Sequence, residues 1–235
     1  MEALSVVDRN LLTSLCWYMS ARKTALRAAL SFRVPMSDID RTDMRVHYSG
    51  YFSNLSSAIE LLRECDSLRL GFEPLLHARL VFDGFEDGEA NYAYLRELRN
   101  SIIHRGLDIT SAMHFVGTFP LILCAPKLQN QRGTKSFHAF DKYLLNVIAK
   151  CEAVVGPVMF ECLTSVNLLA LTIDGDAVKA EIRDNVDASP SMPDHVKTMA
   201  LDVDFKPEWA SAAHAQMVKQ LSEALQPFNT SGVCP

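Results

Sequence analysis

The run Leu95-Arg96-Glu97-Leu98-Arg99-Asn100-Ser101-Ile102-Ile103-His104-Arg105-Gly106 decides how the chain is read. Leu95, Leu98 and Ile102 recur at helical spacing, so they predict a buried stripe on a compact helix from about Glu89 to Arg105. Gly106 is a suitable stop, because glycine accepts the left-handed conformation that closes many helices. Asn100 and His104 lie four positions apart and share a face. Arg99 is offset by one position, but its long side chain can swing toward them. His104 falls in the last turn, where the helix dipole favours a protonated ring. Arg96 and Arg105 add positive charge, so a small phosphate-binding patch is expected here.

Outward from this segment the pattern stays helical. Leu4, Val7, Leu11, Leu15 and Tyr18 predict a first helix from about Ser5 to Ser31, ended by Arg33-Val34-Pro35. Ser37, Asp38 and Asp40 are helix-start residues for a second long helix carrying Tyr51, Leu55, Ala58, Leu62 and Cys65 on one face. Glu73-Pro74 opens a short helix through Leu80, and Asp83 to Gly88 reads as an acidic, turn-rich loop rather than a metal site. Phe115 to Pro126 is apolar and short, and fits either a buried strand or an irregular packed segment. Gln129 to Thr134 is a polar loop. A long helix, or two joined at Gly156-Pro157, is expected from Ser136 to Ala170. Beyond Asp174 two short helices are expected, Pro193 to Leu201 and Pro207 to Leu225. The fold class is all-α, with at most a minor strand element.

Bulk properties narrow the function. The 235 residues carry 28 acidic and 23 basic side chains, a formal net charge of -5, so no global basic field holds nucleic acid. Any RNA site must be local. Cys16, Cys65, Cys124, Cys151, Cys162 and Cys234 show no Cys-x-x-Cys pair and no histidine in ligand spacing; they read as free thiols in a reducing compartment. No metal site and no cofactor are expected. The apolar stretch from Tyr143 to Ile173 is broken by Asn146, Lys150, Glu152 and Glu161, which argues against a membrane span and for a cytoplasmic protein.

Three segments place a histidine five or six positions after an arginine: Arg41 to His47, Arg99 to His104 and Arg132 to His138. Only the second ends an apolar-striped helix, and only there does an amide, Asn100, follow the arginine at once. The run Leu95 to Gly106 resembles the signature of the HEPN superfamily, and the preceding and following helices resemble its bundle in order. The resemblance covers about Leu4 to Ala170. It implies a bundle of four to five main helices over residues 1–172, with residues 173–235 as a helical extension that can pack on the same domain. It further implies a metal-independent endoribonuclease with a toxin–antitoxin or phage-defence role. Arg99, Asn100 and His104 would be the catalytic set, and Arg96 and Arg105 would bind substrate. RNA would be the substrate. A homodimer would supply two histidines to one shared cleft, and an antitoxin protein is a compatible partner. The alternative is a HEPN-like scaffold or binding module that cuts nothing.

The remaining residues have plainer readings. His47, Tyr48, Tyr51, His77 and His138 read as core or surface positions, with His114 a candidate to line a cleft. Lys127, Arg132 and Lys135 form a small basic loop whose simplest role is solvation.

Overall fold

The computed structural model describes residues 4–203 and 205–229, so Cys234 lies outside the described residues. Within them the architecture is mostly helical. Helix α1 (Val6–Ala29) is capped by Ser5, whose hydroxyl accepts the Asp8 N–H at 3.1 Å. Helix α2 (Asp38–Glu64) opens with a capping box in which Ser37 and Asp40 satisfy each other's backbone N–H groups. These two helices share the largest helix–helix contact, with Gly50 of α2 facing Ala25 of α1. Helix α3 (Asp66–Arg79) begins seven residues before the expected Glu73-Pro74 start and keeps Pro74 in its interior. Burial of Leu68, Phe72 and Leu76 outweighs the hydrogen bond that Pro74 forfeits.

Helix α4 (Gly88–Arg105) bears the Arg-Asn-x3-His segment. Asp87 caps it by accepting the Ala90 N–H at 2.9 Å, and Gly106, at φ 67°, ends it as expected. Two small antiparallel hairpins follow: the first falls where the sequence left a strand or an irregular segment open, and the second brackets the expected polar loop, where no strand was expected. Strand β1 (Met113–Val116) pairs with β2 (Phe119–Ile122), and β3 (Lys127–Gln129) pairs with β4 (Ser136–His138). Helix α5 (Leu144–Ser165) is the most buried of the helices and runs unbroken through Pro157. It starts later than the expected Ser136, because residues 136–138 are spent on β4.

After a short 3₁₀ turn (Leu168–Ala170) come α6 (Gly175–Ala188), α7 (Asp194–Leu201) and α8 (Pro207–Leu225). Helices α7 and α8 lie where the sequence places them, and α6 is an addition. Leu221, Ala224 and Leu225 of α8 belong to the same core cluster as α1, α2 and α5. At its centre Arg22 and Glu152, 0% and 1% exposed, pair at 3.1 Å. A side chain at Gly156 of α5 would stand 2.0 Å from the Leu225 carbonyl oxygen, so only glycine admits the end of α8.

Two substitutions test whether this C-terminal part shares one cooperative core. Gly156→Ala should cost on the order of 1–3 kcal/mol by forcing α5 and α8 apart. Gly71→Ala, in a helical site with open space, should be neutral or stabilising by up to ~1 kcal/mol. Separately, Arg22→Met strands the Glu152 carboxylate and should cost about 3–5 kcal/mol; Arg22→Met/Glu152→Leu should recover only part of it, because the Tyr51 hydroxyl and the Phe228 N–H then lose their acceptor. Urea unfolding midpoints check all four variants.

Candidate functional site

Helix α4 has two faces. Tyr94, Leu95, Leu98, Ser101 and Ile102 point into the protein, with Asn91 tied by its amide to the Leu80 and Phe85 carbonyl oxygens at 2.7 and 2.8 Å. Arg96, Ile103, His104 and Arg105 are exposed, and Arg99 and Asn100 are half-buried. The helix packs on α2 along one flank and on both strands of the β3–β4 hairpin along another.

Arg99 does reach toward Asn100. Its Nη1 donates to Asn100 Oδ1 at 3.1 Å. Its Nη2 donates at 2.5 Å to Glu60 Oε1, a carboxylate on α2 that lies 39 positions away in sequence. The guanidinium edge that would grip a phosphate with two prongs is thus shared between Asn100 and Glu60. The Arg99 side chain is only 18% exposed, and its buried Nε has no hydrogen-bond partner.

His104 lies one helical turn beyond Asn100, on the same face. Its ring is exposed and makes no hydrogen bond, ion pair or ring contact with the described residues. Arg96 is exposed beside Tyr92. The Tyr92 hydroxyl is pushed up by burial, against the opposing pull of Arg63 beside it. Arg105 folds back onto Glu97 and the Ser101 hydroxyl, both of α4. Arg45 of α2 donates to the Gly106 carbonyl oxygen at 3.2 Å and so adds a cation at the negative end of the α4 dipole. The patch is therefore an alternation of charges. Arg96 and His104 are open to solvent, whereas Arg99 and Arg105 have acidic partners.

The sequence brought Arg99, Asn100 and His104 onto one helix end, and the structure keeps them there. It could not reveal Glu60 or Arg45, which arrive through the packing of α2. The other two arginine–histidine spacings end elsewhere. Arg41 stands in the first turn of α2, with His47 against the Phe32 ring; Arg132 sits in the β3–β4 loop, with His138 on β4. His114 faces Tyr143 from β1, and Tyr48 and Tyr51 are core residues. Among the described residues no group of three or more His, Cys, Asp or Glu converges as a metal site, and no helix is long and apolar enough to cross a membrane. No protein-family model matches the chain, and neither a curated protein nor a solved structure matches it.

Stability measurements separate the two key side chains. His104→Ala should leave the unfolding midpoint within about 0.5 kcal/mol of wild type, since the exposed ring makes no hydrogen bond, ion pair or ring contact among the described residues. Arg99→Ala and Glu60→Gln should each destabilise, and their double-mutant cycle should return a coupling of about 0.5 kcal/mol, as expected for a partly exposed pair.

Proposed function

We propose that this chain is a HEPN-type endoribonuclease that cleaves RNA without a metal. The observation that carries the reading is the Arg99 Nη1 to Asn100 Oδ1 hydrogen bond at 3.1 Å, which turns the guanidinium toward the face from which the free His104 ring projects. RNA supplies the nucleophile, its own 2′-hydroxyl. His104 as general base takes the 2′-hydroxyl proton as that oxygen attacks the adjacent phosphorus. The 5′-oxygen leaves and must gain a proton, leaving a 2′,3′-cyclic phosphate and a 5′-hydroxyl. Arg99 neutralises charge that develops on the phosphoryl oxygens, with Asn100 orienting it. Arg96 and Arg105 hold flanking phosphates.

One histidine cannot at once remove the first proton and deliver the second. A second copy of the chain, apposed at the ends of the two α4 helices, supplies the other imidazole. Such an enzyme would act as a toxin or in phage defence, inside a cell, restrained by an antitoxin protein.

A second reading has its own support. The Glu60–Arg99 ion pair fastens α4 to α2, so Arg99 can serve the scaffold alone, as in a HEPN-like binding module without activity. The two readings part in one assay, RNA incubated with the purified chain in excess chelator. Cleavage should fall by at least about a hundredfold in His104→Ala, with its fold unchanged, and in Arg99→Ala. Intact RNA with wild type and variants alike would leave only the scaffold. Sedimentation of the active protein as a strict monomer would remove the shared-cleft mechanism.

A further inference from the structure

A basic hairpin lies against the α4 end. Residues 127–138 carry Lys127, Arg132 and Lys135 and no acidic side chain, in a chain where acids outnumber bases 28 to 23. All three cations are exposed, and none joins an ion pair among the described residues. Arg9, Arg22, Arg63, Arg79, Arg99, Arg105 and Lys150 each have a carboxylate, while the other lysines and arginines, like these three, join no ion pair among the described residues.

The strand register sorts the hairpin into two faces. Lys127 pairs with His138 and Gln129 with Ser136, and all four are exposed. The alternate pair, Leu128 and Phe137, turns toward the core. The tip between the strands is held in one shape. Asn130 Oδ1 accepts the Thr134 and Lys135 N–H groups at 2.9 and 3.1 Å, and Gly133 takes the left-handed turn at φ 68°. The cations are thus presented by an ordered turn, which lowers the entropy lost on binding.

Strand β3 and the end of α4 bound one open groove of about 390 Å³, lined by Ser101, Arg105 and Leu107 on one side and Lys127, Leu128 and Gln129 on the other. Arg105 directly follows His104. Glu97 beneath Arg105 cancels part of its charge, so attraction for an anion along this groove comes from the hairpin.

We infer that the groove between α4 and the β3–β4 hairpin binds the sugar–phosphate backbone of a single RNA strand and leads it to His104. Lys127 contacts a phosphate inside the groove, and Arg132 and Lys135 contact phosphates beyond its far end. His138, opposite Lys127, offers an imidazole face for an unstacked base. The strand is single because cleavage needs the 2′-oxygen, phosphorus and leaving oxygen in line, which a duplex does not permit. The inference rests on the ribonuclease reading for its choice of RNA.

The test uses a fluorescent 2′-O-methyl RNA oligonucleotide, which lacks the attacking hydroxyl and so reports binding apart from cleavage. The full chain is compared with Lys127→Ala/Arg132→Ala/Lys135→Ala and with Arg27→Ala/Arg69→Ala/Arg183→Ala, which removes the same charge from other elements. Circular dichroism checks that all are folded. The hairpin variant should bind at least about tenfold more weakly at low salt, and its slope of log affinity against log salt should shrink by about 2, the share of three phosphate contacts on a single strand. The control should bind like wild type. Equal binding by the hairpin variant, equal weakening in the control, or no binding by wild type each overturns the inference. Cleavage by wild type with binding that ignores the hairpin would sink this groove alone. Hairpin-dependent binding with no cleavage of ordinary RNA would sink the ribonuclease reading and keep the groove.

Discussion

Arg22 and Glu152 place opposite charges at the centre of the molecule, where desolvating either one alone is costly. Neighbours occupy most of its polar atoms, although the buried Arg22 Nε has no hydrogen-bond partner. Glu152 accepts the Tyr51 hydroxyl at 2.9 Å and the Phe228 N–H at 2.8 Å, and Arg22 donates to the Ala224 carbonyl oxygen at 3.1 Å. Burial and the Glu152 carboxylate hold the Tyr51 hydroxyl well above the usual phenol range, so it stays a donor at any ordinary pH. Four separate stretches meet here: α1, α2, α5 and the chain around the end of α8. The segment after residue 173 is in this respect a part of the core, because it brings two backbone groups that the ion pair needs.

The candidate site inherits its geometry from that constraint. Tyr51 fixes the position of α2, and Glu60 lies nine residues further along the same helix. Arg45, six residues before Tyr51, reaches the carbonyl oxygen of Gly106. One helix therefore supplies both the carboxylate that holds Arg99 and the cation that finishes α4. A disturbance of the buried charge pair would be felt at the motif through α2, without touching any motif residue. Gly88 is the corresponding fixed point at the other end of α4, since a Cβ there would stand 1.8 Å from the His77 carbonyl oxygen.

What the sequence made legible was whatever carries a local signature. The Ser37 cap, the Gly106 stop and the Pro207 start are each written within a few residues, and those boundaries hold. Helix α6 was missed although Val178, Ile182 and Val186 recur at helical spacing and Asp174 caps it by accepting the Asp176 and Ala177 N–H groups; the stripe is sparse, and none of its residues is buried. The hairpins use strands of three or four residues, too short for alternation to speak. Helix α3 starts without a side-chain cap, so Pro74 misled as a helix start, while at Pro157 the structure takes the one-helix alternative that the sequence left open. The motif helix was legible as a helix with Arg99, Asn100 and His104 at its end. Its electrostatic state was not, because Glu60 comes from a distant turn of another helix.

That state bears on which of the two functional readings the chemistry favours. A partly exposed ion pair such as Glu60–Arg99 is worth about 0.2–1 kcal/mol, since water competes for both groups. A charge-assisted hydrogen bond to a phosphate is worth roughly 1.5–3 kcal/mol, and a guanidinium can make two in parallel. On the ribonuclease reading an RNA phosphate would displace Glu60 by making two such bonds where the carboxylate makes one, and the carboxylate, 38% exposed, has solvent to turn into. Until then Glu60 and Asn100 hold the guanidinium in one orientation, so less side-chain entropy is lost when substrate arrives. On that reading the ion pair would be a placeholder for the phosphate, and the free imidazole of His104 would weigh more in the choice than the occupied guanidinium.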